Sequence, residues 1–261
     1  MLIAVDLDGT LLGRGGQVSA RTAQSLLTAK SAGHSLVAVT GRSWRTCVDR
    51  LKPATAIDYV VCSNGAYAYD IKDERILWSH PIDPVVCLEA MRKIRIEFPN
   101  VGFGWESATG FSYEKAFLKQ SDDPSTLEHG GSGGVLGQSD LYKVLIRVPC
   151  LSGAEFQQNV TELVGDVLEA STSGAPFLDA TALHVNKASG LEAATLHFDV
   201  QSSEVVAFGD NLNDIPMLTW AGTAVAMSNA HPEVLQIADA ITVSNMRDGV
   251  AVYLDKFVNC D

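Results

Sequence analysis

Positive charge is scarce in this 261-residue chain: 19 Lys and Arg stand against 31 Asp and Glu, a formal charge of −12 with histidine neutral. Nucleic-acid binding needs clustered cations along the phosphate backbone, so this balance excludes nucleic acid as the default partner. Long apolar runs are missing as well. Stretches such as Met1 to Val5 and Leu36 to Val39 fall far short of the roughly 20 residues that cross a bilayer, and no membrane span is expected. Met1 to Val5 carries no basic leader and runs straight into Asp6, unlike a secretory signal, so a cytoplasmic location is expected.

Paired cysteine is absent. Cys47, Cys62, Cys87, Cys150 and Cys260 are odd in number and scattered, with no CxxC and no histidine at ligand spacing, which reads as reduced thiols. The six histidines, His34, His80, His129, His184, His197 and His231, show no zinc spacing and read as structural. Gly130-Gly131-Ser132-Gly133-Gly134 lacks a following Gly-Lys-Ser/Thr, which rules out a P-loop and leaves a hairpin tip. The Asn159-Val160-Thr161 acceptor triplet carries no weight in a chain without an export signal.

Core-forming residues are plentiful: 46% hydrophobic against 19% charged is ample for one large domain or two ordinary ones. Strand-length apolar runs at Leu2 to Leu7, Ser35 to Thr40 and Tyr59 to Ser63 alternate with helical stretches near Ser19 to Ala32 and Ser43 to Leu51. The rhythm returns with helix Ala188 to His197, strand Val205 to Phe208, helix Asp214 to Ala221, strand Thr223 to Met227 and helix Pro232 to Ala238. Alternation of this kind predicts a parallel sheet with crossovers, its central strands apolar on both faces. Between about Ile82 and Leu183 the texture changes. Helices near Pro84 to Phe98 and Gly153 to Val164 accompany alternating strands at Val101 to Glu106, Phe111 to Glu114, Tyr142 to Val148, Val167 to Ser171 and Phe177 to His184, an α+β module inserted in an α/β core.

The chemistry concentrates at strand ends. Asp6-Leu7-Asp8-Gly9-Thr10-Leu11 follows the first strand, where α/β sheets place ligands. Two acids so close cost electrostatic energy unless a hard divalent cation sits between them. Val39-Thr40-Gly41-Arg42 runs from a strand into a helix start, where a hydroxyl and backbone N–H groups can hold a phosphate oxygen, although a plain helix cap gives the same pattern. Gly209-Asp210-Asn211-Leu212-Asn213-Asp214 follows another strand and suits magnesium and phosphate ligation. Lys187, just before a helix, supplies the positive charge that a transferring phosphoryl group needs.

In this order, these four segments resemble the signature motifs of the haloacid dehalogenase (HAD) superfamily of phosphatases. The inserted module, Ser63-Asn64-Gly65-Ala66 and Met217 resemble the Cof-like, or subclass IIB, sugar phosphatases. The resemblance implies a Rossmann-like three-layer α/β core over residues 1–82 and 184–261 and an α+β substrate-specificity cap of the C2B type over 83–183. It implies a magnesium-dependent phosphatase in which Asp6 is the nucleophile that becomes an aspartyl-phosphate and Asp8 the general acid and then base. Thr40, Gly41, Arg42, Lys187 and Asn213 would bind phosphate or substrate, with Asn64 and Gly65 lining the cleft. Asp6, Asp8 through its carbonyl, Asp210 and Asp214 would serve the Mg2+.

The expected partner is a small-molecule phosphate ester, with no nucleic acid and no membrane, and the expected state is a monomer or weak homodimer. Asp8 sets the chain apart from dehalogenases proper, which lack an acid two residues after the nucleophile. A receiver domain is half this length, and its acceptor aspartate lies on a middle strand. A phosphomutase or phosphotransferase of the same superfamily, or an idle phospho-binding protein on the same fold, remain as alternatives. In the inserted module Trp105, Glu106, Glu114, Lys115, Lys119, His129, Lys143 and Arg147 could reach a sugar, but read as ordinary surface or hairpin packing. Trp78, Trp105 and Trp220 read as core.

Overall fold

The computed structural model describes residues 1–107, 110–118 and 140–257, so Gly130 to Gly134, Lys119, His129 and Cys260 lie outside the described residues. The chain divides into two compact units, Met1–Trp78 with Asn186–Asp261 and Ser79–Val185.

In chain order the first unit begins with β1 (Leu2–Val5), α1 (Ala20–Ser31), β2 (Ser35–Val39), α2 (Trp44–Leu51), β3 (Tyr59–Cys62), β4 (Tyr67–Asp70) and β5 (Arg75–Ser79). The second unit holds α3 (Pro84–Glu97), β6 (Gly102–Ser107), β7 (Phe111–Tyr113), β8 (Leu141–Arg147), α4 (Gly153–Val164), β9 (Leu168–Ser171) and β10 (Leu178–Ala182). The first unit resumes with α5 (Lys187–Phe198), β11 (Val205–Gly209), α6 (Ile215–Trp220), β12 (Thr223–Met227), α7 (Pro232–Ile237), β13 (Ala240–Thr242) and α8 (Gly249–Phe257).

The eight strands of the first unit run in the order β13-β12-β11-β1-β2-β3-β4-β5. From β13 to β3 every pairing is parallel, and β4 then adds antiparallel to β3. The strands Leu2–Val5 and Val205–Gly209 are buried along their whole length, as a sheet covered on both faces requires. Leu2, Ala4, Val37, Val39, Val61, Val205 and Ala207 face Leu191, Ala194, Met217, Leu218 and Val234 of α5 to α7. On the other face the Phe208 ring meets Tyr253 of α8 edge-on. The result is an α/β sheet layered between helices, the fold class expected from the alternating pattern.

Local chemistry starts each helix that matters. Ser19 Oγ accepts the Thr22 N–H at 3.0 Å ahead of α1. Asn186 caps α5 through its side-chain oxygen, with Ser189 returning the bond to the Asn186 N–H; this capping box sets where Lys187 begins the helix.

The second unit is a five-stranded sheet in the order β7-β6-β8-β10-β9, antiparallel throughout. One face, with Phe103, Trp105, Val144, Ile146, Leu178 and Ala180, packs against Cys87, Ala90, Met91 and Ile94 of α3 and Phe156, Val160 and Val164 of α4. Trp105 is therefore core, as expected, while Trp78 and Trp220 are partly buried against the core of the first unit.

The reading of Glu106, Lys143 and Arg147 as surface needs correction, because all three are buried. By strand alternation they lie on the face turned away from the two helices. Lys143 Nζ stands 3.4 Å from Glu106 Oε2 and 3.3 Å from Asp179 Oδ1. Arg147 lies over the Phe117 ring and donates from Nη1 to the Phe117 carbonyl at 2.8 Å. Charged residues on a strand read as exposed by default; here cross-strand pairing of Lys143 with Glu106 and Asp179 accompanies the burial of that group, and contact with Phe117 that of Arg147.

Candidate active site

Parallel topology gathers the sequence motifs. β11, β1 and β2 are neighbours, so the loops after Val5, Val39 and Gly209 emerge side by side at their carboxyl ends, the position that open α/β sheets use for ligands. Asp6 continues β1 by donating its N–H to the Phe208 carbonyl at 3.0 Å.

Lys187, the first residue of α5, joins the first and last motifs. Its Nζ donates to Asp6 Oδ1 and to Asp214 Oδ1, each at 2.6 Å. Lys187 is 1% exposed and Asp214 0%, so this ion pair is out of solvent. Asp214 also accepts the Asp210 and Asn211 N–H groups on Oδ2, at 3.0 and 2.9 Å. That leaves it tied on both oxygens, with Lys187 on one and backbone on the other. Asp210 accepts from Thr10 Oγ1 at 2.9 Å, a role for Thr10 that the motif contains but that spacing does not reveal.

Asp6, Asp210 and Asp214 are buried and offer carboxylate oxygens that all lie within 4.8 Å of one another. Burial, with Asp214 and Asp210 pushing the same way, holds the Asp6 carboxyl well above the usual range despite Lys187. Burial and Asp214 push Asp210 up to about 6 against the pull of Thr10 and Lys187. Burial alone would lower the Lys187 pKa, but Asp214 and Asp6 outweigh it and hold the ammonium firmly protonated. Three carboxylates around one ammonium thus lack positive charge, and an all-oxygen donor set of this kind suits a hard divalent cation.

Backbone freedom makes the crowding possible. Gly9 has φ +86°, and a Cβ there would collide with the Asp210 carboxylate. Gly65 has φ +103°, and a Cβ would strike the Asn186 carbonyl, so the Ser63 to Gly65 turn sits directly against the start of α5.

The second motif stands beside this cluster. Thr40 is buried, and its Oγ1 accepts the Arg42 N–H at 3.1 Å. Its carbonyl accepts the Asn64 N–H at 3.0 Å. A Cβ on Gly41 would come within 3.0 Å of Asn64 Oδ1. Asn64 in turn accepts from Asn213 Nδ2 at 3.1 Å, leaving Asn213 Oδ1 buried without a hydrogen-bond partner. An orphaned polar atom at such a place is one that a bound ligand can satisfy.

Asp8 and Arg42 stand apart from the buried cluster. Asp8 has a half-exposed side chain and receives Arg42 Nε at 2.5 Å and Nη2 at 2.7 Å, a two-pronged ion pair. The Arg42 guanidinium is therefore spent on Asp8. Two amides far away in the sequence fix the loop that carries Asp8. Asn229 Nδ2 donates to the Gly9 carbonyl at 2.9 Å. Asn245 donates from Nδ2 to the Leu12 carbonyl at 2.8 Å and from its backbone to Asn229 Oδ1 at 3.1 Å. Nothing in the local sequence marks these amides, since their role exists only once β12 and β13 lie beside β11. Among the described residues no helix is long and apolar enough to cross a membrane.

Comparison with known proteins gives the family. The family model of haloacid dehalogenase-like hydrolases matches residues 3–254. The 5-amino-6-(5-phospho-D-ribitylamino)uracil phosphatase YcsE of Bacillus subtilis (strain 168) is 30% identical over 254 residues, 96% of this chain and 92% of that protein. YitU, a phosphatase of the same description and organism, is 29% identical over 263 residues, 98% and 97% of the two chains. Among solved structures, that of BT1666 from Bacteroides thetaiotaomicron, a HAD superfamily phosphatase, superposes with a TM-score of 0.84 at 24% identity, covering 98% of this chain and 94% of that one. The chain belongs to the haloacid dehalogenase-like hydrolase family and, within it, to the Cof-like phosphatases, which are phosphoric monoester hydrolases.

Proposed function

We propose that this chain hydrolyses a small phosphate monoester, a sugar phosphate or a related phosphorylated metabolite, in a magnesium-dependent reaction through an aspartyl-phosphate on Asp6. The observation that carries the reading is the buried Lys187 ammonium shared between Asp6 and Asp214 at 2.6 Å each, beside the Thr40 loop. YcsE and YitU, whose substrate is a phosphate on a ribityl chain by their description, support an ester of a polyol-like metabolite.

Asp6 attacks phosphorus through its free carboxylate oxygen while Lys187 holds the other, so the nucleophile's orientation is fixed before substrate arrives. The attack forms an Asp6–phosphorus bond and breaks the bond from phosphorus to the ester oxygen. Asp8, once released from Arg42, gives that departing oxygen its proton, and as a carboxylate then takes a proton from the water that cleaves the acyl phosphate. Thr40 Oγ1, the Gly41 N–H and Lys187 are the donors that meet charge on the phosphoryl oxygens. Asp6, the Asp8 carbonyl and Asp210 would hold magnesium, with Asp214 behind them, and when bound the ion supplies the positive charge that the three carboxylates lack and screens the phosphoryl oxygens.

The test is phosphate release from a panel of sugar phosphates, polyol phosphates and p-nitrophenyl phosphate, with magnesium or with a chelator, for the wild type and Asp6→Asn. Magnesium-dependent release that Asp6→Asn abolishes is expected. Release from no ester, with the phosphoryl group recovered on a second sugar hydroxyl, would replace hydrolysis by a mutase reaction.

A further inference from the structure

At the carboxyl ends of β12 and β13 the first unit carries a pocket of about 360 Å³ that is open to solvent. Ser228, directly after β12, and Ile241 of β13 form one side, Val252 and Tyr253 of α8 the other, and Arg247 and Lys256 line it as well. The volume falls in the range of small-molecule pockets, roughly 300–1,000 Å³. The place is again the one where α/β sheets bind ligands.

The charge distribution around it is directional. The acids of the same stretch turn to α1. Asp248 Oδ1 accepts from Ser19 Oγ at 2.6 Å, while Asp255 accepts from Ser25 Oγ at 2.6 Å and pairs with Arg21 at 3.2 Å. Arg247 and Lys256 face the cavity instead, and among the described residues neither makes an ion pair or a side-chain hydrogen bond. In a chain of net charge −12, two cations in a pocket with no acid among its described lining residues form a place where an anion gains energy. Ile241, 60% exposed, with Val252 and the Tyr253 ring adds an apolar wall that water covers poorly.

We propose that this cavity is a second ligand site, distinct from the Asp6 centre, for a small anion with an apolar body. Arg247 takes the carboxylate or phosphate in its planar fork, Lys256 adds a point charge, and the body lies against Ile241, Val252 and Tyr253.

Fluorescence titration of the full chain with anilinonaphthalene sulfonate, an anion of this shape, tests the site, run with and without magnesium and orthovanadate to fill the phosphoryl centre. Saturable binding at one site per chain, unchanged by vanadate, is expected. Arg247→Ala with Lys256→Ala weakens it about tenfold or more, which corresponds to at least one lost charge-assisted contact. Val252→Trp, which fills the cavity and keeps both cations, removes it, and Arg75→Ala, which deletes an exposed cation elsewhere, leaves it alone. Equal affinity for the wild type and the double variant, or displacement by vanadate, would overturn the proposal.

Discussion

Lys187 Nζ lies 2.6 Å from Asp6 Oδ1 and 2.6 Å from Asp214 Oδ1, with all three groups out of solvent. Removing the ammonium leaves two buried carboxylates facing each other. Lys187→Met is expected to destabilise the protein by about 3–5 kcal/mol, the cost of breaking a buried pair on one side, with hydrolysis lost by a factor of at least about 100. Urea unfolding and steady-state rates check the two effects separately. Lys187→Met combined with Asp214→Asn should recover part of the stability and none of the activity, since the second change removes only the surplus charge.

The Asp6 and Asp210 carboxyls titrate above their ordinary value of 3.8, and the sign of the consequence follows. A group with a folded pKa above its unfolded one binds protons preferentially in the folded state, so its contribution is fully present below the unfolded pKa and is lost as pH rises through the folded one. Without divalent metal, stability from Asp210 falls between about pH 4 and pH 6. Magnesium must displace those protons, so its stabilising effect should grow over the same interval. Thermal midpoints with magnesium and with a chelator, measured across that range, check this; a magnesium shift independent of pH would contradict it.

Gly9→Ala meets two obstacles, the positive φ and the Asp210 carboxylate. Gly15→Ala meets only the first, since its φ is +72° and nothing lies within 4 Å. The Gly15 variant should cost about 1 kcal/mol from the left-handed backbone alone. The Gly9 variant should cost more and should also depress turnover, because Asp210 has to move. Equal losses at the two positions would show that crowding against Asp210 is unimportant.

The motifs were legible because they are local. An apolar strand, two acids and a glycine lie within eight residues at the start of the chain, and Gly209 to Asp214 repeats the device. Strand β13, three residues long, and the β4–β5 extension were not legible: the first is too short to show a period, and the second joins the sheet only through pairing with β3. α8 was missed as well, although Gly249 starts it, because its apolar residues follow a strand too short to anticipate. The Asp8–Arg42 pair is a contact between two motifs, each of which by its own sequence faces a ligand, and only the parallel neighbours β1 and β2 bring them together. The buried Lys143 was misread because burial of charge depends on Asp179, thirty-six positions later in the chain.

The amide relay from Asn245 through Asn229 to the Gly9 carbonyl holds the loop that carries Asp8. Asn229→Ala should lower turnover several-fold while KM changes little, since the loop loses one anchor and the Thr40 and Lys187 donors stay in place. The loss of its two hydrogen bonds, to the Gly9 carbonyl and from the Asn245 N–H, should cost about 1–3 kcal/mol of stability. A change in KM alone would assign Asn229 to binding instead.

In the second unit, Lys143→Met leaves Glu106 and Asp179 buried without their cation and should cost about 3–5 kcal/mol. Glu106→Gln and Asp179→Asn added to it should return much of that loss, a coupling that a mutant cycle reads directly. Additive losses would show that the three side chains are independent.

The central claim is that Asp6 accepts the phosphoryl group. Rapid quench of the enzyme mixed with a phosphorus-labelled ester and magnesium, followed by proteolysis and mass spectrometry, should place the label on the peptide that contains Asp6, with no labelled peptide from Asp6→Asn. Label on any other residue, or undiminished single-turnover release by Asp6→Asn, would contradict the account.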